Sequence, residues 1–233
     1  MELRITPKFT VTFLALVFML HEAHEIAHTA VGRLICGCWG ERDFNVWGVC
    51  EGCPEQNPLA VLATFAGPVF TFSLIWMGTR MLASARSERQ RTLGFSLIFA
   101  NLPFARLLGA GLKGGDEVWG LNTLLNNSSA AWILAFVLIF LILFFPLSTA
   151  YKAISNKRKT LWFLLFLIAP ILIDVLVVLG VMNTLVENGV LSDYWILGSP
   201  RLVTVWTLFV TLVFVLTRAN IAELTASSDT PAQ

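Results

Sequence analysis

Charge is what this sequence has least of. Asp, Glu, Lys and Arg together make up 13% of its 233 residues, against 56% hydrophobic ones. A soluble domain carries about 25% charged residues, so with a mean hydropathy of +0.74 the composition excludes an ordinary water-soluble globule and reads as a polytopic membrane protein. Net charge is nearly absent too, at +1, which removes any electrostatic case for nucleic acid as a partner. Histidine numbers three, too few for the histidine-rich boxes with which a membrane di-iron oxygenase gathers nitrogen donors from several helices. Long polar connections are also lacking, so no peptide-binding or nucleotide-binding domain fits between the apolar stretches. No internal repeat stands out, and the first apolar stretch is too long for a cleavable signal peptide.

Apolar stretches are what the chain has in plenty. Windows of about 20 residues predict six spans, at roughly 9–35, 59–82, 92–112, 130–151, 160–183 and 200–217. The expected fold is therefore an all-α polytopic membrane protein, one membrane domain over 1–233 that ends in a short polar tail at 226–233, expected to be disordered. The basic residues set its orientation. Arg4, Lys8, Arg80, Arg86, Arg89, Arg91, Lys152, Lys157, Arg158, Lys159 and Arg218 fall on one side of the alternating spans. Arg42, Lys113 and Arg201 fall on the other, with Glu41, Asp43, Glu51, Glu55, Asp116, Glu117, Glu187 and Asp193. By the positive-inside rule both termini are expected in the cytoplasm and the first connection outside.

All three histidines lie in one octapeptide, His21-Glu22-Ala23-His24-Glu25-Ile26-Ala27-His28, inside the first span. Each ionisable group there is costly in lipid unless it lines a cavity or binds something. His24 and His28 stand at i and i+4, so one helical face presents both imidazoles to a single zinc ion, with Glu25 beside them to take a proton from metal-bound water. A hydrolytic site needs a third ligand. His21, one turn before His24, reads better as a cavity-lining residue, since one helix can hardly wrap three donors around an ion. Carboxylates remain: Asp116 and Glu117, which follow Gly114-Gly115, and Asp174, alone in the fifth span and read first as a structural pairing. Arg106 reads as the partner of a neighbouring acid or as a snorkelling residue.

The four cysteines, Cys36, Cys38, Cys50 and Cys53, all sit in the first connection. Either two disulfides between the pairs staple a compact hairpin loop, or four thiolates hold a structural zinc; the outward placement of the connection favours the disulfides. Between the pairs, alternation from Asp43 to Val49 predicts a short strand pair.

HExxH in a transmembrane helix, Ala66-Gly67-Pro68 in the next, and Asn101-Leu102-Pro103 leading to Gly115-Asp116 resemble the site-two protease family of intramembrane zinc metalloproteases. The resemblance covers about residues 9–125, with 130–217 as additional transmembrane helices. It implies a three-helix core, Zn2+ held by His24, His28 and Asp116, Glu25 as general base, and a membrane-protein or membrane-associated peptide as substrate. Asn101 would contact substrate or oxyanion, or else form an interhelical hydrogen bond. The cysteine loop sits where some members insert a β-hairpin that presents substrate as an extended strand. Two features depart from the family pattern. Pro103 and Asp116 are separated by twelve residues, a longer spacing than the family's, and Glu117 stands where a glycine is expected. The charge bias also turns the site outward, whereas members commonly hold it nearer the cytosol. The alternative is a non-catalytic metal-binding membrane protein, either a transporter or a protease-like partner, and an intact Glu25 argues against the latter.

Overall fold

The computed structural model describes residues 1–84 and 87–225, among which no strand forms. Six helices are long and apolar enough to cross a bilayer, which makes the chain a multi-pass helical membrane protein. The expected tail at 226–233 and Arg86 lie outside the described residues.

Helix α1 spans Pro7–Cys36. Thr6 caps it by accepting from Phe9 N, Pro7 opens it, and Gly37 ends it at φ +80°. Its 30 residues reach about 45 Å, well beyond the roughly 30 Å of hydrocarbon. A 3-10 turn at Pro58–Val61 leads into α2, Leu62–Ala83. The third span is broken: α3 covers Glu88–Ala100 and α4 covers Pro103–Gly111, with Leu102 between them at φ 50°. The sequence predicts one run at 92–112; Pro103 forbids it, because proline has no N–H to donate and crowds the residue before it out of the α region. Helix α5, Asp116–Leu125, starts after Gly115, whose φ of +91° turns the chain. Then come α6, Ser128–Ala153, and α7, Lys159–Glu187, which widens to a π-helix over Val175–Met182. Helix α8, Arg201–Thr217, runs into a 3-10 segment at Arg218–Leu224.

Small residues and ring contacts close the bundle. Helices α2 and α3 touch at Gly78 and Gly94, where a Cβ on Gly94 would lie 2.6 Å from the Gly78 carbonyl oxygen. Phe166 of α7 packs edge-on to Phe13 and Phe95. At one end of the bundle Leu3 bridges to Thr225, Arg4 N donates to Leu224 O at 2.8 Å, and Thr6 Oγ1 donates to Glu223 Oε2 at 2.6 Å. Residues 3 and 225 thus share one face.

The cysteine loop between α1 and α2 carries disulfides Cys36–Cys53 and Cys38–Cys50. No thiol is left for a structural zinc. The predicted strand pair at Asp43–Val49 is absent; one isolated bridge joins Arg42 to Trp47. The loop's groups are engaged elsewhere. Arg42 N donates to Gly198 O at 2.8 Å, and the Phe44 carbonyl oxygen lies 3.0 Å from His21 Nε2. The Arg42 side chain is buried, with Nη1 2.8 Å from Glu22 Oε2 and Nε donating to Ser199 Oγ at 3.1 Å. Thr207 of α8 donates to the same Glu22 oxygen at 3.0 Å. These contacts pull the loop onto α1 and α8.

Removing one partner of a buried ion pair leaves the other uncompensated, whereas removing both is often neutral. Arg42→Leu is therefore expected to cost about 3–5 kcal/mol in thermal unfolding in detergent, and Arg42→Leu with Glu22→Leu to recover most of it. A double variant no more stable than the single one would refute the pairing.

Candidate metal centre

One face of α1 presents His24 and His28 to α2, at the point where α2 has Gly67. A Cβ there would lie 2.6 Å from His24 Nε2 and would also collide with His28 Nε2. Only glycine lets the two helices meet with both rings between them.

Each ring is held by its outer nitrogen. His28 Nδ1 donates to the Ala63 carbonyl oxygen at 2.7 Å, and His24 Nδ1 lies 2.8 Å from Thr71 Oγ1, both partners on α2. A carbonyl only accepts, so the neutral His28 ring carries its hydrogen on Nδ1 and aims the Nε2 lone pair inward. The two Nε2 atoms are 3.1 Å apart, and Asp116 Oδ2, from the first turn of α5, lies 3.3 Å from His24 Nε2 and 3.6 Å from His28 Nε2. A tetrahedral ion with bonds of about 2.0–2.1 Å needs donors separated by roughly 3.3 Å. The donor separations are close to that requirement, so His24, His28 and an ionised Asp116 form a group that could hold a divalent metal.

The surroundings favour that charge state. Burial works to raise the pKa of Asp116, but His24, His28 and the Arg106 guanidinium outweigh it and hold the carboxyl well below the usual carboxylate range. Arg106 Nη1 lies 2.9 Å from Asp116 Oδ2, and its Nη2 lies 3.2 Å from His24 Nε2. From the cysteine loop, the Trp47 ring stacks on His28 at 4.2 Å, and its Nε1 donates to Asp116 Oδ1 at 3.3 Å.

Glu25 is buried, and its Oε2 has no hydrogen-bond partner. Asn101 donates from Nδ2 to Leu97 O in its own helix at 2.7 Å rather than across helices, which leaves its buried Oδ1 unpaired. Both residues line a cavity of about 30 Å3 with His24, Thr71 and Arg106, room for a water molecule and little more.

Other candidates fall outside the group. His21 borders the same cavity, but its Nδ1 sits 3.0 Å from Asp174 Oδ1 on α7, so these two satisfy each other. Glu117 points an oxygen at Arg106 at 3.8 Å, keeps its other oxygen unpaired, and has its pKa pushed up by burial. Thr71 and Trp47 are functional neighbours that the sequence reading did not single out. Thr71 follows Gly67 by one helical turn, which is the available signal; Trp47 had none beyond its place in the loop. Comparison with protein-family models, with curated proteins and with solved structures gives no match in any of the three.

Two substitutions test that geometry. Gly67→Ala forces the imidazoles apart and is expected to abolish stoichiometric metal binding. Thr71→Val frees the His24 ring and is expected to weaken binding by roughly 10–100-fold. Metal titration of the purified protein reads both, and wild-type affinity in Gly67→Ala would mean the rings do not converge at α2.

Proposed function

We propose that the chain is a zinc-dependent intramembrane peptidase acting on membrane proteins or membrane-associated peptides. The observation that carries this reading is the convergence of His24 Nε2, His28 Nε2 and Asp116 Oδ2 beside the unpaired carboxylate oxygen of Glu25. Helices α1, α2, α3–α4 and α5 would make up its catalytic core. Bound by His24, His28 and Asp116, Zn2+ would lower the pKa of a water from about 16 towards 7 and polarise a scissile carbonyl.

The chain's own residues supply the rest. Glu25 accepts the proton of the attacking water at its open oxygen and returns it to the leaving amine. The Ala63 carbonyl and Thr71 hydroxyl keep the imidazoles in register, so no reorientation is needed as the reaction proceeds. Arg106 holds a fixed positive charge beside the place where a carbonyl oxygen would turn negative, which stabilises that charge in a site screened from water. The free Oδ1 of Asn101 can accept from a peptide N–H at the same cavity. A cavity of about 30 Å3 admits water but no peptide, so productive binding requires the elements that line it to open.

Glu25→Gln keeps the shape of the side chain and removes the base. Cleavage of a fluorogenic peptide panel by the protein in liposomes is expected to fall by about 10²–10⁴-fold, with metal content unchanged. Undiminished cleavage would remove Glu25 from the mechanism, and an unsubstituted protein that binds zinc but cuts nothing would favour the non-catalytic reading.

A further inference from the structure

Away from the metal centre, α4, α6 and α7 enclose an apolar groove. It has a volume of about 320 Å3 and is walled by Leu107, Phe140, Leu143, Phe144, Leu147 and Phe163. At one end its lining turns polar with Ser148, Tyr151 and Lys152. Lys159 closes that end, its Nζ 4.5 Å over the Tyr151 ring and 3.5 Å from the Lys152 carbonyl oxygen. Lys157 and Arg158, both exposed, adjoin it.

Length, width and charge select an occupant. From Phe140 to Lys152, α6 rises about 18 Å, close to half of the roughly 30 Å hydrocarbon thickness. Phe140 stands at the middle of α6 and Lys152 near its end, so the groove runs through one leaflet, from mid-membrane to headgroup level. A volume of about 320 Å3 drawn out over that length is long and narrow, a shape that suits a single extended hydrocarbon chain better than a whole helix about 10 Å across.

The polar end adds the sign of the headgroup. Lys152, Lys157, Arg158 and Lys159 gather four cations where the apolar walls stop, on the face that the charge bias assigns to the cytoplasm, whose leaflet is the anionic one. We infer that this groove binds one acyl chain of an anionic phospholipid, with the lipid phosphate held by Lys152 and Lys159. The site is independent of the metal centre and would be present whether or not the chain cuts peptides.

Native mass spectrometry of the full chain in detergent tests it, with phosphatidylglycerol and phosphatidylcholine of identical tails offered in equal amounts. The phosphatidylglycerol adduct is expected to be retained over the other by roughly tenfold. Lys152→Gln with Lys159→Gln, both at the membrane surface, is expected to erase that preference while leaving the melting temperature unchanged. Leu147→Trp fills the groove and is expected to remove the adducts of both lipids. Equal retention of the two lipids by the unsubstituted protein, or an undiminished preference in the double glutamine variant, would overturn the inference and leave only unselective boundary lipid.

Discussion

Ionisable side chains inside a bilayer must be satisfied by the protein, and this fold is organised by that requirement. Helix α1 places His21, Glu22, His24, Glu25 and His28 within eight residues, where each unpaired charge costs several kcal/mol. Several elements packed around α1 contribute a partner. The cysteine loop gives Arg42 to Glu22, α7 gives Asp174 to His21, α2 gives Thr71 to His24 and the Ala63 carbonyl to His28, and α5 brings Asp116 to the imidazoles of His24 and His28. Glu22 and Glu25 each keep one buried oxygen unpaired, and of the two only Glu25 lines the water-sized cavity beside His24.

Irregular backbone makes these pairings possible. Gly67 removes the side chain that would separate α1 from α2. The break at Leu102 and the turn through Gly115 redirect the chain twice, so that α5 starts with Asp116 facing back towards α1. The disulfides fix both ends of the first connection, and its middle lays Trp47 over His28. The centre is therefore assembled from four segments that are distant in sequence, and displacement of any one of them alters the donor separation.

Much of this was legible in the residues. Six spans follow from hydropathy to within a few residues, apart from the 3-10 extension of α8, because a bilayer imposes a length that composition reveals directly. His24 and His28 share a face because helical periodicity puts them there, and Gly67 stands within the Ala66-Gly67-Pro68 run that the sequence singled out. The twelve residues between Pro103 and Asp116, a departure from the family pattern, are taken up largely by α4. Other features had no such signature. The alternation at Asp43–Val49 suggested strands, but Arg42 and Phe44 turn inward to partners on α1, α7 and α8, and those partners are set by tertiary packing rather than spacing. The roles of Thr207 and Ser199 were invisible for the same reason, since a hydroxyl that meets a buried group from a remote segment leaves no local pattern.

The central claim is that the paired imidazoles and Asp116 hold zinc beneath the lipid headgroups. X-ray absorption at the zinc edge on protein purified in lipid tests it most directly. The account predicts one zinc per chain, bound only by nitrogen and oxygen at about 2.0–2.1 Å, with the signature of two imidazoles. A spectrum dominated by sulfur at about 2.3 Å, or protein that folds and carries no stoichiometric metal when zinc is supplied, would contradict it.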